Sequence, residues 1–200
     1  MTTSDPEESS AQQVLGQLFV EHKEKLRRMV QLRLDDRLRG RLDASDVIQQ
    51  TWVEAVQRYD EYLKNPSVSP FVWIRFLAGQ KLSQLHRFHL GTKLRQASRE
   101  VSLFQGAQPS ATSAVLAAQL VGKLTSPSVA FAREEQKLKI ETALNGLDEN
   151  DREILALRHF EQLSNQEAAE VLELTTEACY KRYVRALLRL KSTLGDELPM

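Results

Sequence analysis

The stretch with the most distinctive side-chain chemistry is residues 71–89, FVWIRFLAGQKLSQLHRFH. It is rich in aromatic and aliphatic residues, and its formal charges, Arg75, Lys81 and Arg87, are all positive. Over residues 62–99 the sequence has seven Lys or Arg and no Asp or Glu. Aromatic rings can stack on unpaired bases and cations can pair with phosphates, whereas carboxylates would repel them. The pattern therefore favours a surface for single-stranded nucleic acid.

The same stretch has helical periodicity, and this periodicity predicts which of its side chains face a hydrophobic core. Ser69 and Pro70 indicate the start of a helix. The spacing predicts a core face formed by Phe71, Ile74, Ala78, Leu85 and Phe88. This assignment leaves Trp73 and Phe76 partly on other faces, beside the cations. The alternative is that both rings belong to the core and that the basic residues form a solvated face.

A second group of polar and cationic side chains lies in residues 163–190, LSNQEAAEVLELTTEACYKRYVRALLRL. The layout is that of a helix-turn-helix, with a short helix capped by Ser164, a turn at residues 172–174 and a longer helix capped by Thr175. Such a second helix can contact bases and phosphates in the major groove. The predicted DNA contacts are Thr176, Glu177, Tyr180, Lys181, Arg182 and Arg185. The alternative is a helical hairpin with a solvated basic face, and Glu173 has to adopt a turn conformation that favours Gly.

Residues that often carry catalysis or hold metals have no suitable spacing. The single cysteine, Cys179, has no acidic or histidine partner nearby in the sequence, and the four histidines lack metal-ligand spacing. The sequence also has no Gly-rich phosphate loop. His86 and His89 are expected to add to the basic face instead. We therefore predict no enzyme activity, no catalytic residue, no metal site and no cofactor.

These side chains must be positioned by helices, because no segment has a strong strand pattern. Periodicity predicts a first helix over residues 11–34, with Ser10 and Gln13 as a capping box at its start, and further helices over residues 43–63, 70–89, 131–144, 149–160, 165–172 and 176–194. Residues 101–128 are rich in Gly, Pro, Ser, Thr and Ala, which is typical of a connector. One weak helix is predicted within this connector, near residues 113–121.

The composition bounds the class of protein. A chain of 200 residues, 42% apolar and 27% charged, can form two small cores. Its equal numbers of acidic and basic residues argue against a protein that coats nucleic acid along its whole surface. A single cysteine suits a reducing compartment, the polar first residues do not form a signal peptide, and no apolar run could span a bilayer. We expect a cytoplasmic protein without a membrane partner.

Two parts of the chain resemble regions of one protein family, in the family's order. Residues 143–190, from ALNGLDENDREILALRHFEQ to YKRYVRALLRL, closely resemble region 4 of bacterial sigma factors of the extracytoplasmic-function (ECF) group. DASDVIQQTW, residues 43–52, and FVWIRFLAGQKLSQLHR, residues 71–87, resemble region 2 of the same family. A linker separates the two parts, without the middle domain of larger sigma factors. Two matches in order are more specific than a lone helix-turn-helix.

The resemblance implies an all-α fold with two helical domains joined by a flexible linker. Its parts would be a disordered tail (residues 1–10), a region 2-like bundle (11–100), the linker (101–130) and a region 4-like helix-turn-helix domain (131–200). The implied partners are core RNA polymerase and promoter DNA, and the existence of an anti-sigma protein is left open. Region 4 would recognise the minus-35 element as duplex, and region 2 would hold the minus-10 element as single strands.

The resemblance also implies roles for region 2 residues. The base-capturing loop falls at residues 62–69, and Gln80 stands where an Asn is usual, so the sequence preference at that contact is in doubt. The implied minus-10 contacts are Tyr62, Lys64, Trp73, Gln80, Lys81 and Arg87. DASDVIQQ matches the element that docks on the clamp helices of polymerase, which implies polymerase contacts at Asp43, Asp46 and Gln49, or helix caps as the alternative. Trp52 is implied to be a core residue.

The sequence thus predicts a sigma factor that binds core RNA polymerase, recognises minus-35 DNA and melts minus-10 DNA. One alternative is a helix-turn-helix regulator that binds operator DNA alone and uses residues 11–100 for dimerisation or effector binding. Another is a sigma mimic that sequesters polymerase or an anti-sigma protein.

Overall fold

The protein is described by a computed structural model that covers residues 6–90, 109–124 and 130–195. Within these ranges it consists of eight α-helices, one 3-10 turn and one π-helical turn, without a strand. The predicted all-α class is therefore confirmed. The chain divides into two compact units, residues 1–109 and residues 110–200.

The first unit is a bundle of three long helices, each packed against the other two. They are α1 (Pro6–Arg33), α2 (Ala44–Lys64) and α3 (Pro70–Leu90), with a 3-10 turn at Asp36–Leu38 between the first two. The bundle core is apolar and includes Leu26, Met29, Val47, Ala55, Ile74 and Leu82. Because α1 begins at Pro6, residues 6–10 are helical although the sequence places them in a disordered tail.

Aromatic contacts join the helices of this bundle. Trp52 of α2 is half-buried and meets the ring of Phe19 of α1 edge-on, with 5.0 Å between ring centroids. Phe71 at the start of α3 packs against the imidazole of His22, with 4.5 Å between centroids, and lies under the ammonium group of Lys25. These contacts hold α2 and α3 against α1.

The second unit contains five α-helices within residues 110–124 and 130–195. They are α4 (Ser113–Leu124), α5 (Ala130–Asn145), α6 (Glu149–Leu155), α7 (Asn165–Val171) and α8 (Thr176–Leu194), with a π-helical turn at Ala156–Phe160 after α6. The caps at three of these helices are those expected from the sequence: Asp148 for α6, Ser164 for α7 and Thr175 for α8. Helix α8 packs against α5, α6 and α7, so it forms the centre of the unit.

Helix α4 lies inside the segment that the sequence assigns to a flexible linker. It packs against α5, and its Leu116 and Ala117 are completely buried. The weak helix expected near residues 113–121 is thus a structured part of the second unit. The rest of the predicted linker, residues 101–108 and 125–129, lies outside the described residues, as does Arg99 at the end of the acid-free segment.

Candidate nucleic-acid interface

The helix-turn-helix of the second unit is built from α7, a short turn and α8. A capping box starts α7: the Ser164 hydroxyl accepts from the Glu167 N–H at 3.1 Å, and the Glu167 carboxylate accepts from the Ser164 N–H at 2.5 Å. At the start of α8 the Thr175 hydroxyl accepts from the Ala178 N–H at 3.2 Å. Both helix starts are therefore fixed by residues next to them in the sequence.

The turn between the two helices has the strained backbone that the sequence predicts. Glu173 adopts φ = +53°, in the left-handed region that favours Gly. The turn is closed by a hydrogen bond from the Leu174 N–H to the Ala169 carbonyl at 2.9 Å. Beneath it, the small side chains of Ala168 and Ala169 and the thiol of Cys179 are buried, so α7 and α8 approach closely.

We define the recognition face as the six residues of α8 predicted to contact DNA. Five of them, Thr176, Glu177, Tyr180, Lys181 and Arg185, are exposed, and Arg182 is half-buried. Glu177 and Lys181 form an ion pair one helical turn apart, with both side chains largely in solvent. The structure therefore brings these residues together on one accessible side of the longer helix. Contact between this face and DNA remains a prediction.

Below the recognition face, Cys179 lies in the core. Burial raises the pKa of its thiol, and the nearby Arg158 and Arg182 offset only part of this effect. The guanidinium group of Arg158 also stacks over the ring of Tyr183, 5.4 Å from its centroid. A buried thiol with a raised pKa is a poor nucleophile, so Cys179 serves packing.

In the first unit, the aromatic residues of the acid-free segment are mostly core residues. Trp73 and Phe76 are buried, which corrects the expectation that they lie partly on other faces. Trp73 stacks on Tyr62 with 4.6 Å between centroids, and the Tyr62 hydroxyl donates to the Val68 carbonyl at 2.7 Å. Tyr62 and Trp73 therefore hold the loop after α2 in place, and neither ring is offered to a base in this structure.

The converse correction applies to Phe88. The periodicity places Phe88 on the core face of α3, but its side chain is 82% exposed near the end of the helix. Leu85, of the same predicted face, is half-buried. The predicted core face thus holds for the first half of α3, where α1 and α2 cover it, and fails in the last turn.

The cations of the acid-free segment have three different environments. Lys64 and Arg87 are exposed, as a phosphate-binding surface requires, whereas Arg75 is completely buried. Gln80 and Lys81 are half-buried, and the Lys81 ammonium pairs with the carboxylate of Glu54 on α2 at 2.8 Å. The acid-free segment is therefore in contact with an acidic residue, Glu54, that comes from another helix.

Glu54 remains ionised next to these cations. Burial alone would raise the pKa of its carboxyl group, but the hydrogen bonds and charges of Lys81 and Arg58 outweigh burial and lower it. Arg58 contributes a contact of 3.2 Å from the same helix. The local charge around Lys81 is thus partly neutralised, and the strongest positive character of α3 shifts towards Arg87.

The candidate polymerase contacts lie at the start of α2 and form its cap. The Asp43 carboxylate accepts from the N–H groups of Ser45, at 2.6 Å, and Asp46, at 3.0 Å. The Asp46 carboxylate returns the bond by accepting from the Asp43 N–H at 2.9 Å. Asp43, Asp46 and Gln49 are all exposed. The two carboxylates therefore cap the helix and remain accessible to a partner.

A connection that the sequence does not reveal holds the loop before α2. The Asp35 N–H donates to Nε2 of His86 at 3.3 Å, and His86 is buried, which corrects its expected place on a basic DNA face. Asp35 in turn binds the Arg37 side chain, and these bonds lower the pKa of its carboxyl group to about 2. No local sequence signal pairs residues 51 positions apart.

In residues 6–90, 109–124 and 130–195, no group of three or more His, Cys, Asp or Glu is placed to hold a metal ion. Over the same part of the chain, each helix is too short or too polar to cross a membrane.

The second unit thus presents a helix-turn-helix whose second helix is polar and cationic on its accessible side, a geometry suited to duplex DNA. Residues 137–190 match the family described as sigma-70, region 4. These residues include α6, α7 and nearly all of α8, together with their connections. The match lies wholly within the second unit.

The solved structures extend the comparison to the whole chain. The chain is similar to CnrH in its complex with the cytosolic domain of CnrY, with 20% sequence identity, a TM-score of 0.50 and 96% of each chain covered. It is also similar to the sigma factor RpoE in complex with the anti-sigma factor NepR from Bartonella quintana, with 15% identity, a TM-score of 0.46, and 92% of this chain and 97% of that chain covered. A comparison with curated proteins gave no match. The match of residues 137–190 confirms the predicted resemblance to region 4 of sigma factors, and CnrH has a similar fold.

Proposed function

We propose that this protein is a sigma factor that binds core RNA polymerase and directs promoter-specific initiation of transcription. The observation that carries the proposal is the recognition face of α8, which is exposed on a helix-turn-helix within a region 4 domain. Such a face supports recognition of the minus-35 element as duplex DNA. The chemistry of RNA synthesis then belongs to the polymerase, and this chain supplies binding surfaces only.

The first unit supports the remaining part of the proposed function. Exposed Lys64 and Arg87 are suited to phosphates of the opened minus-10 strands, with Gln80 and Lys81 half-accessible between them along the chain. The accessible carboxylates of Asp43 and Asp46, with Gln49, are suited to a basic surface of core polymerase. These roles place the protein with the polymerase and the chromosome, in the cytoplasm.

We also propose that an anti-sigma protein binds this chain when the chain is not bound to core polymerase. CnrH, which shares the fold, was solved with the cytosolic domain of CnrY bound. An anti-sigma protein of this chain would have to compete with polymerase or DNA for the same surfaces. Co-purification with the chain, followed by loss of that partner when core polymerase is added, would identify it.

Reconstitution with bacterial core RNA polymerase tests the main proposal. The purified chain should convert the core enzyme into one that produces transcripts from defined start sites on a genomic DNA library. Core enzyme alone and core enzyme with an Arg182→Ala, Arg185→Ala variant are the controls, and the variant should lose most start sites. Sequence-specific duplex binding without polymerase, together with no initiation, would instead indicate an operator-binding regulator.

A further inference from the structure

The side chain of Asn165 connects the start of α7 to the start of α8. Its Nδ2 donates a hydrogen bond to the Thr176 carbonyl oxygen, at a distance of 2.8 Å. Asn165 is the first residue of α7, and Thr176 is the first residue of α8. Thr176 is exposed and lies in the first turn of α8. In a recognition helix, the first turn is the part that comes nearest to the bases. The hydrogen bond therefore acts at the functional end of the recognition face.

A second contact, between the turn and α7, lies near the far end of α7. There, the Leu174 N–H donates to the Ala169 carbonyl, and the buried side chains of Ala168 and Ala169 allow close packing. Asn165 and Ala169 are separated by about 6 Å along the axis of α7, at 1.5 Å per residue. Because α8 also packs against α5 and α6, its overall direction is set by the unit, and the Asn165 hydrogen bond acts locally on its first turn.

The cost of the Asn165 side chain indicates that stability is not its main contribution. Its Oδ1 is buried and has no hydrogen-bond partner among the described residues. Burying an unsatisfied carbonyl oxygen opposes folding and offsets the gain from the Nδ2 hydrogen bond. An apolar residue of the same shape would avoid this cost but could not hold the Thr176 carbonyl. The Asn165 amide thus costs some stability but fixes the orientation of the first turn of α8.

We propose that Asn165 is a positioning residue for promoter recognition. It holds the first turn of α8 so that Thr176, Glu177 and Tyr180 meet the base edges in register. Phosphate contacts tolerate a small rotation of the helix, whereas hydrogen bonds to base edges do not. Asn165 therefore acts on the discrimination between DNA sequences and leaves general affinity for DNA unchanged. The inference rests on the proposed function, because it requires α8 to contact duplex DNA.

Asn165→Leu is the informative variant. Leucine has nearly the same shape, removes both the donor and the buried oxygen, and leaves the net charge unchanged. The thermal unfolding temperature should stay the same or rise, and affinity for a scrambled duplex should be unchanged. Affinity for the preferred duplex should fall about tenfold, the size of one lost base contact. Asn165→Gln keeps an amide donor and should recover part of the preference.

The measurement uses the full chain bound to bacterial core RNA polymerase. The parent complex first selects a preferred duplex from a library randomised at the minus-35 position, and binding to that duplex and to its scrambled form is then compared among variants. Gln166→Leu is the matched control, because the Gln166 amide contacts Glu170 within α7, at 3.4 Å, and its loss leaves the Asn165–Thr176 contact intact. The control should retain the parent's preference.

The outcomes separate the two proposals. A preference that survives in Asn165→Leu overturns the positioning role alone. A lower unfolding temperature with an equal loss of affinity for both duplexes overturns it too, because that result indicates a merely structural side chain. A parent complex that selects no duplex overturns the proposed function and the positioning role with it.

Discussion

At the scale of single residues, the protonation of His86 bears directly on a contact that holds the loop before α2. Its Nε2 accepts a hydrogen bond from the Asp35 N–H, which requires the neutral ring with its lone pair on Nε2. Burial lowers the pKa of His86, the Asp35 charge raises it, and the Arg37 charge lowers it again, with a net decrease. A proton on Nε2 would replace the acceptor by a donor and break the contact.

The direction of the pH effect follows from this decrease. Because the folded state prefers neutral His86, its contribution to the free energy of unfolding is fully present above the unfolded pKa of about 6.5 and is lost as the pH falls below that value. Urea unfolding at pH 7.5 and 5.5 should show a larger loss of stability in the parent than in His86→Gln. Exposed His159, changed to Gln, is the control and should behave like the parent.

Asp35 does not interfere with this comparison. The pKa of its carboxyl group is about 2, so it remains ionised throughout the range from pH 5.5 to 7.5. A pH dependence that is identical in the parent and in His86→Gln would mean that another group carries it. The loop before α2 would then be held mainly by contacts other than the His86 ring.

Local sequence signals predict some of these residues and miss others, for a physical reason. The strained φ of Glu173 follows from the helix-turn-helix pattern, because it depends on neighbours along the chain. The burial of Arg75 and the pairing of His86 with Asp35 depend on how α3 meets α1, which no local pattern contains. Trp73 is undecidable from the sequence, because a ring on a helix can face a base or a neighbouring ring equally well.

At the scale of elements, the start of α2 is a helix cap and is also the proposed contact with polymerase, and substitutions can separate the two roles. Asp46→Gln keeps an acceptor for the Asp43 N–H and removes the charge, since Glu and Gln are the usual residues at this position of a capping box. Asp46→Ala removes both. We expect Asp46→Gln to retain stability and to bind core polymerase more weakly, whereas Asp46→Ala should also lose about 1 kcal/mol of stability.

Chemical unfolding and a core-binding assay on the same samples distinguish these effects. If Asp46→Gln binds core polymerase as well as the parent, the carboxylate is a helix cap and its charge is not used in docking. Gln49→Ala, which lies outside the cap, provides an independent measure of the same surface. Its stability should match that of the parent, because its side chain is exposed.

Helix α4 gives the second prediction at this scale. Leu116 is completely buried where α4 packs in the second unit, so Leu116→Ala should cost about 2–4 kcal/mol of stability. Amide hydrogen exchange should be faster in α5 as well as in α4, because the two helices pack together. Leu138→Ala on α5 is the matched control, since that side chain is 65% exposed.

Faster exchange confined to α4 would contradict this prediction, because α4 would then be a passive cover on a domain that is complete without it. The sequence indicates α4 only weakly, since its apolar run is short and lies in a segment with the composition of a connector. The helix that α4 packs against, α5, lies outside that run, so no local pattern links the two. The helix caps of the second unit, by contrast, are predicted correctly because each depends on three or four consecutive residues.

At the scale of the whole molecule, charge must be assessed in space. The acid-free segment predicts a continuous basic surface, but Glu54 from α2 pairs with Lys81 and removes part of it. A Lys81→Glu substitution would place two carboxylates together in a half-buried site and would destabilise the bundle itself. A test of DNA opening therefore has to use the exposed cations, Lys64 and Arg87.

The double variant Lys64→Glu, Arg87→Glu should impair opening of the minus-10 element while leaving core binding unchanged. The two cations proposed to face phosphates become two repelling acids, so the yield of open complex should fall on the order of tenfold. A control variant, Lys23→Glu with Arg27→Glu, makes the same change of net charge at exposed positions of α1. Permanganate footprinting of unpaired thymines on a matched promoter gives the extent of opening in each complex.

A premelted template separates opening from binding in this experiment. A mismatched bubble at minus-10 supplies the opening in advance, so it should restore part of the activity of the Lys64→Glu, Arg87→Glu complex. The α1 control should need no such rescue, because its charges are not expected to meet the opened strands. Equal opening of the matched promoter by the double variant and the parent would mean that Lys64 and Arg87 form only a solvated face, and the minus-10 surface would then have to lie elsewhere on the first unit.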